Sequence, residues 1–523
     1  MRSTTTAATA ARFWLTLLNG GLPLGTALAA AILLAALSGV PHLASAQTVT
    51  FADQTPGPSQ ALFNSPYYTC KTNYYVSPTG SDSNAGTLAS PWLTLQHAND
   101  SLPSGGAAAG TCINVGPGTY ASGVIITNGG NLASATGYVV YRCTTMDACK
   151  ITAAGFASDA FRVNSTNWSG PDYIMIDGFN LAAATSDTYG IGITETDPTN
   201  AGGGGIATTH HFWVLNSIIH GYGQAGINPG GTDYQYYLHN TLYDNANNTC
   251  DAQGSGISIV VPKEFPNYTP TADDLTNPNP LIGTFVTGST FFHNVVEWNI
   301  TYNNALTNCG TASNAYDTDG NGIILDTFLT RSDGSGNTVD YPDSSLVAFN
   351  LSYNNGGGGV HIFEAQHVTV ANNTVYNNYI DPGNDGSARG NIDENDGGDD
   401  TYINNISYSI ASPAPSDTEC YNDYGIVPYT MWNSAILGSP RSGLPADTFS
   451  NNITYLVNAA SSCQGEISLW GSDVGQYSTT NNKENTNPLW TNVGNTSVGT
   501  ETTPPVGADF TLQAGSPAIG YAL

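Results

Sequence analysis

Basic side chains are scarce in this chain. Lys and Arg number 11 in 523 residues against 40 Asp and Glu, for a formal net charge of −29. Nucleic-acid binding needs clustered cations that displace counterions from phosphates, so this composition excludes it. A polyanionic substrate would in turn need a bound cation or the few local basic residues. Long apolar runs are also missing. The run from about Ala27 to Leu37 is too short for a comfortable transmembrane helix, and nothing after it approaches a membrane span. No Cys-x-x-Cys or Cys/His spacing is present, which argues against structural zinc. Amphipathic helical periodicity is nearly absent, which removes the helical classes.

The first 46 residues hold no Asp or Glu, carry Arg2 and Arg12, and end in Ala44-Ser45-Ala46 before Gln47. That pattern reads as a secretory signal peptide over residues 1–46. A linker over 47–73 and one domain over 74–523 follow. Without the signal, nine basic residues face 40 acidic ones. All eight cysteines (Cys70, Cys112, Cys143, Cys149, Cys250, Cys309, Cys420 and Cys463) lie beyond the signal. An even number in an exported chain points to disulfides, with Cys143 and Cys149 able to close a short loop and the connectivity otherwise open. A secreted monomer with no membrane partner after cleavage is expected.

One unit keeps returning. It appears as Asn216-Ser217-Ile218-Ile219, Asn240-Thr241-Leu242-Tyr243, Asn299-Ile300-Thr301-Tyr302, Asn350-Leu351-Ser352-Tyr353, Asn373-Thr374-Val375-Tyr376, Asn405-Ile406-Ser407-Tyr408 and Asn452-Ile453-Thr454-Tyr455. The shortest intervals are 23 and 24 residues, and the longer ones contain insertions. Short strands at such a period, without helices, predict an all-β parallel solenoid with coils of about 23 residues. Asn at a fixed place suits a turn ladder, because it tolerates left-handed backbone and hydrogen-bonds locally. Pro91 to Ala98 has helical spacing suited to a cap, and the stretch from Asn487 to Ile519 reads as a final coil and cap.

Two glycine-rich corners then lead into alternating strands, Gly320-Asn321-Gly322-Ile323-Ile324-Leu325-Asp326 and Gly359-Val360-His361-Ile362-Phe363-Glu364. Aligning Gly322 with Gly359 makes Ile323 and Leu325 match Val360 and Ile362 as inward residues. Ile324 and Asp326 then match His361 and Phe363 as outward ones. Gly256-Ile257-Ser258-Ile259 falls into the same frame. The insertions Pro262–Pro280, Thr327–Pro342 and Asp381–Asp400 would wall a groove beside this outward column.

The Tyr75-Val76-Ser77-Pro78-Thr79-Gly80-Ser81-Asp82 opening, the Asn-x-x-Tyr coils and the Gly515-Ser516-Pro517-Ala518-Ile519 tail resemble the secreted right-handed parallel β-helix proteins of the pectate-lyase-like superfamily. The resemblance implies a polysaccharide substrate. Lyases, glycoside hydrolases, uronate epimerases and non-catalytic surface proteins all belong to that superfamily. The nearest motif is the Gly-Asn-Gly-Phe-Lys-Leu strand of family nine pectate lyases, whose lysine is the base. Here Ile324 stands at the lysine place, and the family's calcium-binding Asp-Asp-Gly-Phe-Asp strand is absent.

The candidate catalytic residues are therefore Asp326, His361, Glu364 and Asp393. Asp326 and His361 would be diagonal neighbours, roughly 7–8 Å apart. In a lyase, His361 would take the proton beside a uronate carboxylate, which Arg331 or Arg389 would hold, with Asn321 as a further substrate contact. A hydrolase would instead pair Asp326 with Glu364, Asp393 or Asp319, at roughly 5–5.5 Å if retaining or 6.5–9.5 Å if inverting. Asp317, Asp319 and Asn321 alternate as in a calcium loop. Phe328 occupies the twelfth position, where an EF-hand needs Glu, so only a looser Ca2+ site is implied. Lys263 is an alternative base, although a loop lysine is usually solvated. Trp168, Trp213, Trp298 and Tyr222 are candidates for stacking on sugars, with Trp213 and Trp298 better suited to packing between coils.

Overall fold

The structure, a computed structural model, describes most of residues 70–519. The exceptions longer than ten residues are 196–208, 266–291, 307–318, 379–389, 411–433 and 493–508. The signal peptide, residues 47–69 of the linker, Asp317, Arg389, Trp168, Cys250, Cys309, Cys420 and Cys463 lie outside the described residues.

Each turn of the chain contributes one strand to each of three parallel sheets, of 12, 10 and 10 strands. We call them sheet 1, sheet 2 and sheet 3 in the order a coil visits them. A typical coil runs Ser344–Ala348 in sheet 1, Leu351–Tyr353 in sheet 2 and Val360–Phe363 in sheet 3. Each strand then pairs in parallel with its counterpart in the next coil. The core is the interior of this winding, filled by the alternate, inward residues of each strand. In sheet 3 one such row is Phe161, Ile191, Ile227, Ile257, Ile323, Val360 and Ile392, all fully buried.

The repeated asparagines lie at the turn from sheet 1 to sheet 2. Asn299 donates its N–H to Asn350 Oδ1 at 2.9 Å and its Nδ2 to Asn350 Oδ1 at 3.0 Å and Tyr237 O at 2.9 Å. Its own Oδ1 accepts from Asn240. The same bonds continue through Asn350, Asn373, Asn405, Asn452 and Asn482. The left-handed residue is the one before each ladder asparagine: His239, Trp298 and Phe349 in earlier coils, Asn372, Asn404 and Asn451 in later ones. This shifts the first repeat by one, since Ile218 pairs with Thr241 and Ser217 occupies the ladder place of Asn240. It also moves Trp298 out of the strand and into the turn, where it stacks on Phe349 with centroids 4.5 Å apart.

A second ladder, Asn245–Asn304–Asn355–Asn378–Asn391, marks the turn from sheet 2 to sheet 3. Each of its first four members follows a first-ladder asparagine by five residues, a spacing visible in the sequence. Replacing Asn299 by Ala would strand the Tyr237 carbonyl and the Asn240 amide in a dry turn. Losing several satisfied buried hydrogen bonds at about 1 kcal/mol each predicts a destabilisation of roughly 3–4 kcal/mol, readable by thermal or denaturant unfolding.

The N-terminal end is closed by the helix Leu95–Asp100, capped by the Thr94 hydroxyl and burying Leu95 and Ala98. The C-terminal stretch departs from the expected final coil. Trp490–Asn492 and Asp509–Leu512 form an antiparallel pair outside the three sheets. Trp490 and Phe510 pack on Tyr376, Tyr353 and Tyr408 of sheet 2. Outward tyrosines stacked coil on coil leave an apolar strip there, and the hairpin covers it. Two disulfides, Cys70–Cys112 and Cys143–Cys149, hold the N-terminal coils.

Candidate active site

Sheet 3 places the expected strands side by side. Ile323 pairs with Val360, Ile324 with His361 and Asp326 with Phe363, and one strand earlier Ile257 pairs with Ile323. The glycine corners are required by packing. A Cβ at Gly322 would collide with Ser352 Oγ and Thr301 Oγ1, and one at Gly359 with Asn378 Nδ2. The chain can therefore turn tightly from the second asparagine ladder into each strand.

The outward row of sheet 3 runs through Ser258, Ile324, His361 and Asp393, with Asn228 one strand before Ser258. It is not an open surface. Ser258 and Asp393 are fully buried, and His361 is 1% exposed. His361 is therefore no ordinary surface strand residue. Its Nδ1 lies 2.7 Å from Asp393 Oδ2, directly across the strand pair. The approach is off the hydrogen-bond axis, so we read it as a close polar contact. Asp393 Oδ1, Ser258 Oγ and Asn228 Nδ2 are buried in the same row with no hydrogen-bond partner. Buried polar groups are nearly always paired, so this file of unpaired ones on neighbouring strands is unusual. Asn228 and Ser258 were missed by sequence reasoning. The frame that aligned Ser258 with Ile324 was the available signal.

Asp326 ends its strand two residues beyond Ile324, half-buried. Burial pushes its pKa up to about 6, and the Asp319 and Glu364 carboxylates add to this. The Thr327 hydroxyl, 2.6 Å from Oδ1, and the His361 imidazole pull it part of the way back. Asp319, His361 and Glu364, all predicted residues, thus lie within electrostatic reach of Asp326. Glu364, in left-handed backbone at the end of its strand, also fixes the following corner, because its carbonyl accepts from Phe328 and Leu329 N–H.

Other expectations change. Asn321 is buried and works within the protein, accepting from Gly358 N–H at 2.7 Å and donating to Asp319 Oδ1 at 3.0 Å. Asp319 is turned towards that amide. Among the described residues, the one group of three or more acidic, His or Cys ligands that converges on a point lies elsewhere. The looser Ca2+ site expected at Asp317 and Asp319 includes Asp317, which lies outside the described residues. Arg331 lies in a short antiparallel pair with Val339 inside the 327–342 insertion. That insertion does not simply project, since Phe328 and Tyr341 at its ends are buried in the core. Lys263 is 1% exposed rather than solvated. Tyr222 is in the core and Trp213 packs between Tyr138 and Tyr236, so neither offers a face to a sugar.

No protein-family model matches the chain, and no curated protein matches it. Solved structures do. A rhamnogalacturonan lyase aligns at 13% identity over 84% of this chain and 94% of that one, with a TM-score of 0.48. Pectate lyase Pel9A aligns at 13% identity over 86% and 90%, with a TM-score of 0.40. The A-module of the Azotobacter vinelandii mannuronan C-5 epimerase AlgE4 aligns at 11% identity over 71% and 86%, with a TM-score of 0.40. Likeness this distant carries no statement about chemistry. The three all-parallel sheets, to which each coil gives one strand, give this chain the fold of a right-handed parallel β-helix.

Proposed function

We propose that this protein is a secreted polysaccharide-acting enzyme that cleaves a uronate-containing glycan by lyase-like elimination on the outer face of sheet 3. The observation that carries the reading is the buried His361–Asp393 contact beside a carboxyl group with a pKa of about 6. Elimination needs a base for the proton beside the uronate carboxylate and an acid for the departing glycosidic oxygen. Asp393 holds one ring nitrogen of His361, which orients the imidazole and stabilises its charged form as the proton arrives. Asp326 is half protonated near pH 6 and suits the acid role. The two disulfides fit an oxidising, extracytoplasmic destination.

A hydrolase is the second reading, favoured by the electrostatic coupling of Asp326 to Glu364. Incubating the purified chain with a panel of uronate-containing and neutral glycans separates the two. Elimination creates a carbon–carbon double bond conjugated to the carboxylate, seen as new ultraviolet absorbance together with new reducing ends. Reducing ends without that absorbance would replace elimination by hydrolysis. Binding with no cleavage of any glycan would remove both.

A further inference from the structure

Asp233, His293 and Asp343 gather at the beginning of sheet 1, apart from the row described above. Asp233 is fully buried, and protein groups fix its carboxylate from several sides. Tyr234 N–H at 2.9 Å and the Tyr341 hydroxyl at 2.6 Å donate to Oδ1, and Phe265 N–H at 2.7 Å donates to Oδ2. His293 is the extra residue of a β-bulge, since Phe292 pairs with Ser344 and Asn294 with Ser345. Bulges re-aim a side chain. This one presents His293 Nδ1 at 2.9 Å from Asp233 Oδ1 and 3.3 Å from Asp343 Oδ2. Stacking on Tyr234, with centroids 4.0 Å apart, holds the imidazole ring. Asp343 Oδ2 is itself buried and makes no hydrogen bond. Glu264 adds further negative charge within reach of both His293 and Asp343.

We propose that these three side chains bind a divalent transition-metal ion of the Zn2+ class, with Tyr341 and the two backbone amides as the supporting shell. The donor set is mixed, one imidazole nitrogen and two carboxylates, and imidazole favours such ions over Ca2+ or Mg2+. The three ligand atoms all lie within 4.8 Å of one another. Donors at about 2.0–2.2 Å from a common ion in tetrahedral array lie about 3.3–3.6 Å apart, so the His293–Asp343 separation of 3.3 Å already fits and the His293–Asp233 pair would open slightly on binding. Groups that hold a ligating carboxylate in place are characteristic of metal sites, and Asp233 has three of them.

Equilibrium dialysis of the full chain against ZnCl2, followed by metal analysis and thermal unfolding, tests this. The wild type should retain one equivalent of Zn2+ and unfold at a higher temperature with it. His293→Gln should abolish retention, and Asp343→Asn should weaken it on the order of 100-fold. Asp343→Asn replaces a part-exposed carboxylate by its isostere, so it serves even if the His293 variant fails to fold. No retained Zn2+, or equal retention by wild type and Asp343→Asn, would overturn the site and leave an ion pair.

Discussion

Replacing Asp393 by Asn is expected to lower the turnover of the cleaved glycan by about 100- to 10,000-fold, the range carried by a positioned acid or base. The amide keeps the size of the side chain but removes the charge that lies 2.7 Å from His361 Nδ1. The imidazole then loses both its orientation and the partner that stabilises its protonated form. His361→Ala should be at least as damaging. The loss should appear in kcat rather than in binding, because both changes fall on the proton-transfer step. If Asp393→Asn retained full turnover, the His361–Asp393 contact would be structural only. Measuring unfolding alongside guards against misfolding, since both side chains are buried.

The second large effect is expected from Asp326→Asn, through pH. The Asp326 carboxyl titrates near 3.8 when unfolded and at about 6 in the fold, so folding favours its protonated form. Its contribution to stability is therefore complete below pH 3.8 and is lost as pH rises through about 6. A difference of this size is worth about 2–3 kcal/mol at neutral pH and above. Asp326→Asn should accordingly unfold at a higher denaturant concentration than wild type at pH 8, and at nearly the same concentration at pH 4. Wild-type activity should decline on the alkaline side of about pH 6, and the residual activity of the variant should lack that limb. A variant that is both fully active and no more stable at pH 8 would remove Asp326 from the site.

The sequence showed the winding because a coil must repeat its turn chemistry. The Asn299, Asn350 and Asn373 tetrapeptides each close the same corner, and their spacing is the length of a coil plus its insertions. The pairing of Ile323 with Val360 was also legible, because one slip in register would turn the buried isoleucine outward. Asn216 misled by one position. It occupies the left-handed place that Asn372 and Asn404 fill later, while Ser217 stands where the ladder asparagine would be. The His361–Asp393 neighbourhood was only half legible. Both residues were candidates, but 32 residues and an insertion separate them, and only the register of Val360 with Ile392 sets them opposite each other. Burial of the outward row was not legible, since alternation tells faces apart without telling which face is covered. The Asp233–His293–Asp343 cluster left no pattern, because its members come from three different coils and depend on a bulge.

A crystal structure of the His361→Ala variant with a bound oligosaccharide of the cleaved glycan tests the central claim most directly. The account predicts the sugar along the outer face of sheet 3, with a glycosidic oxygen against Asp326. A sugar bound on the tyrosine strip of sheet 2 or the outer face of sheet 1, with the sheet 3 row empty, would contradict it.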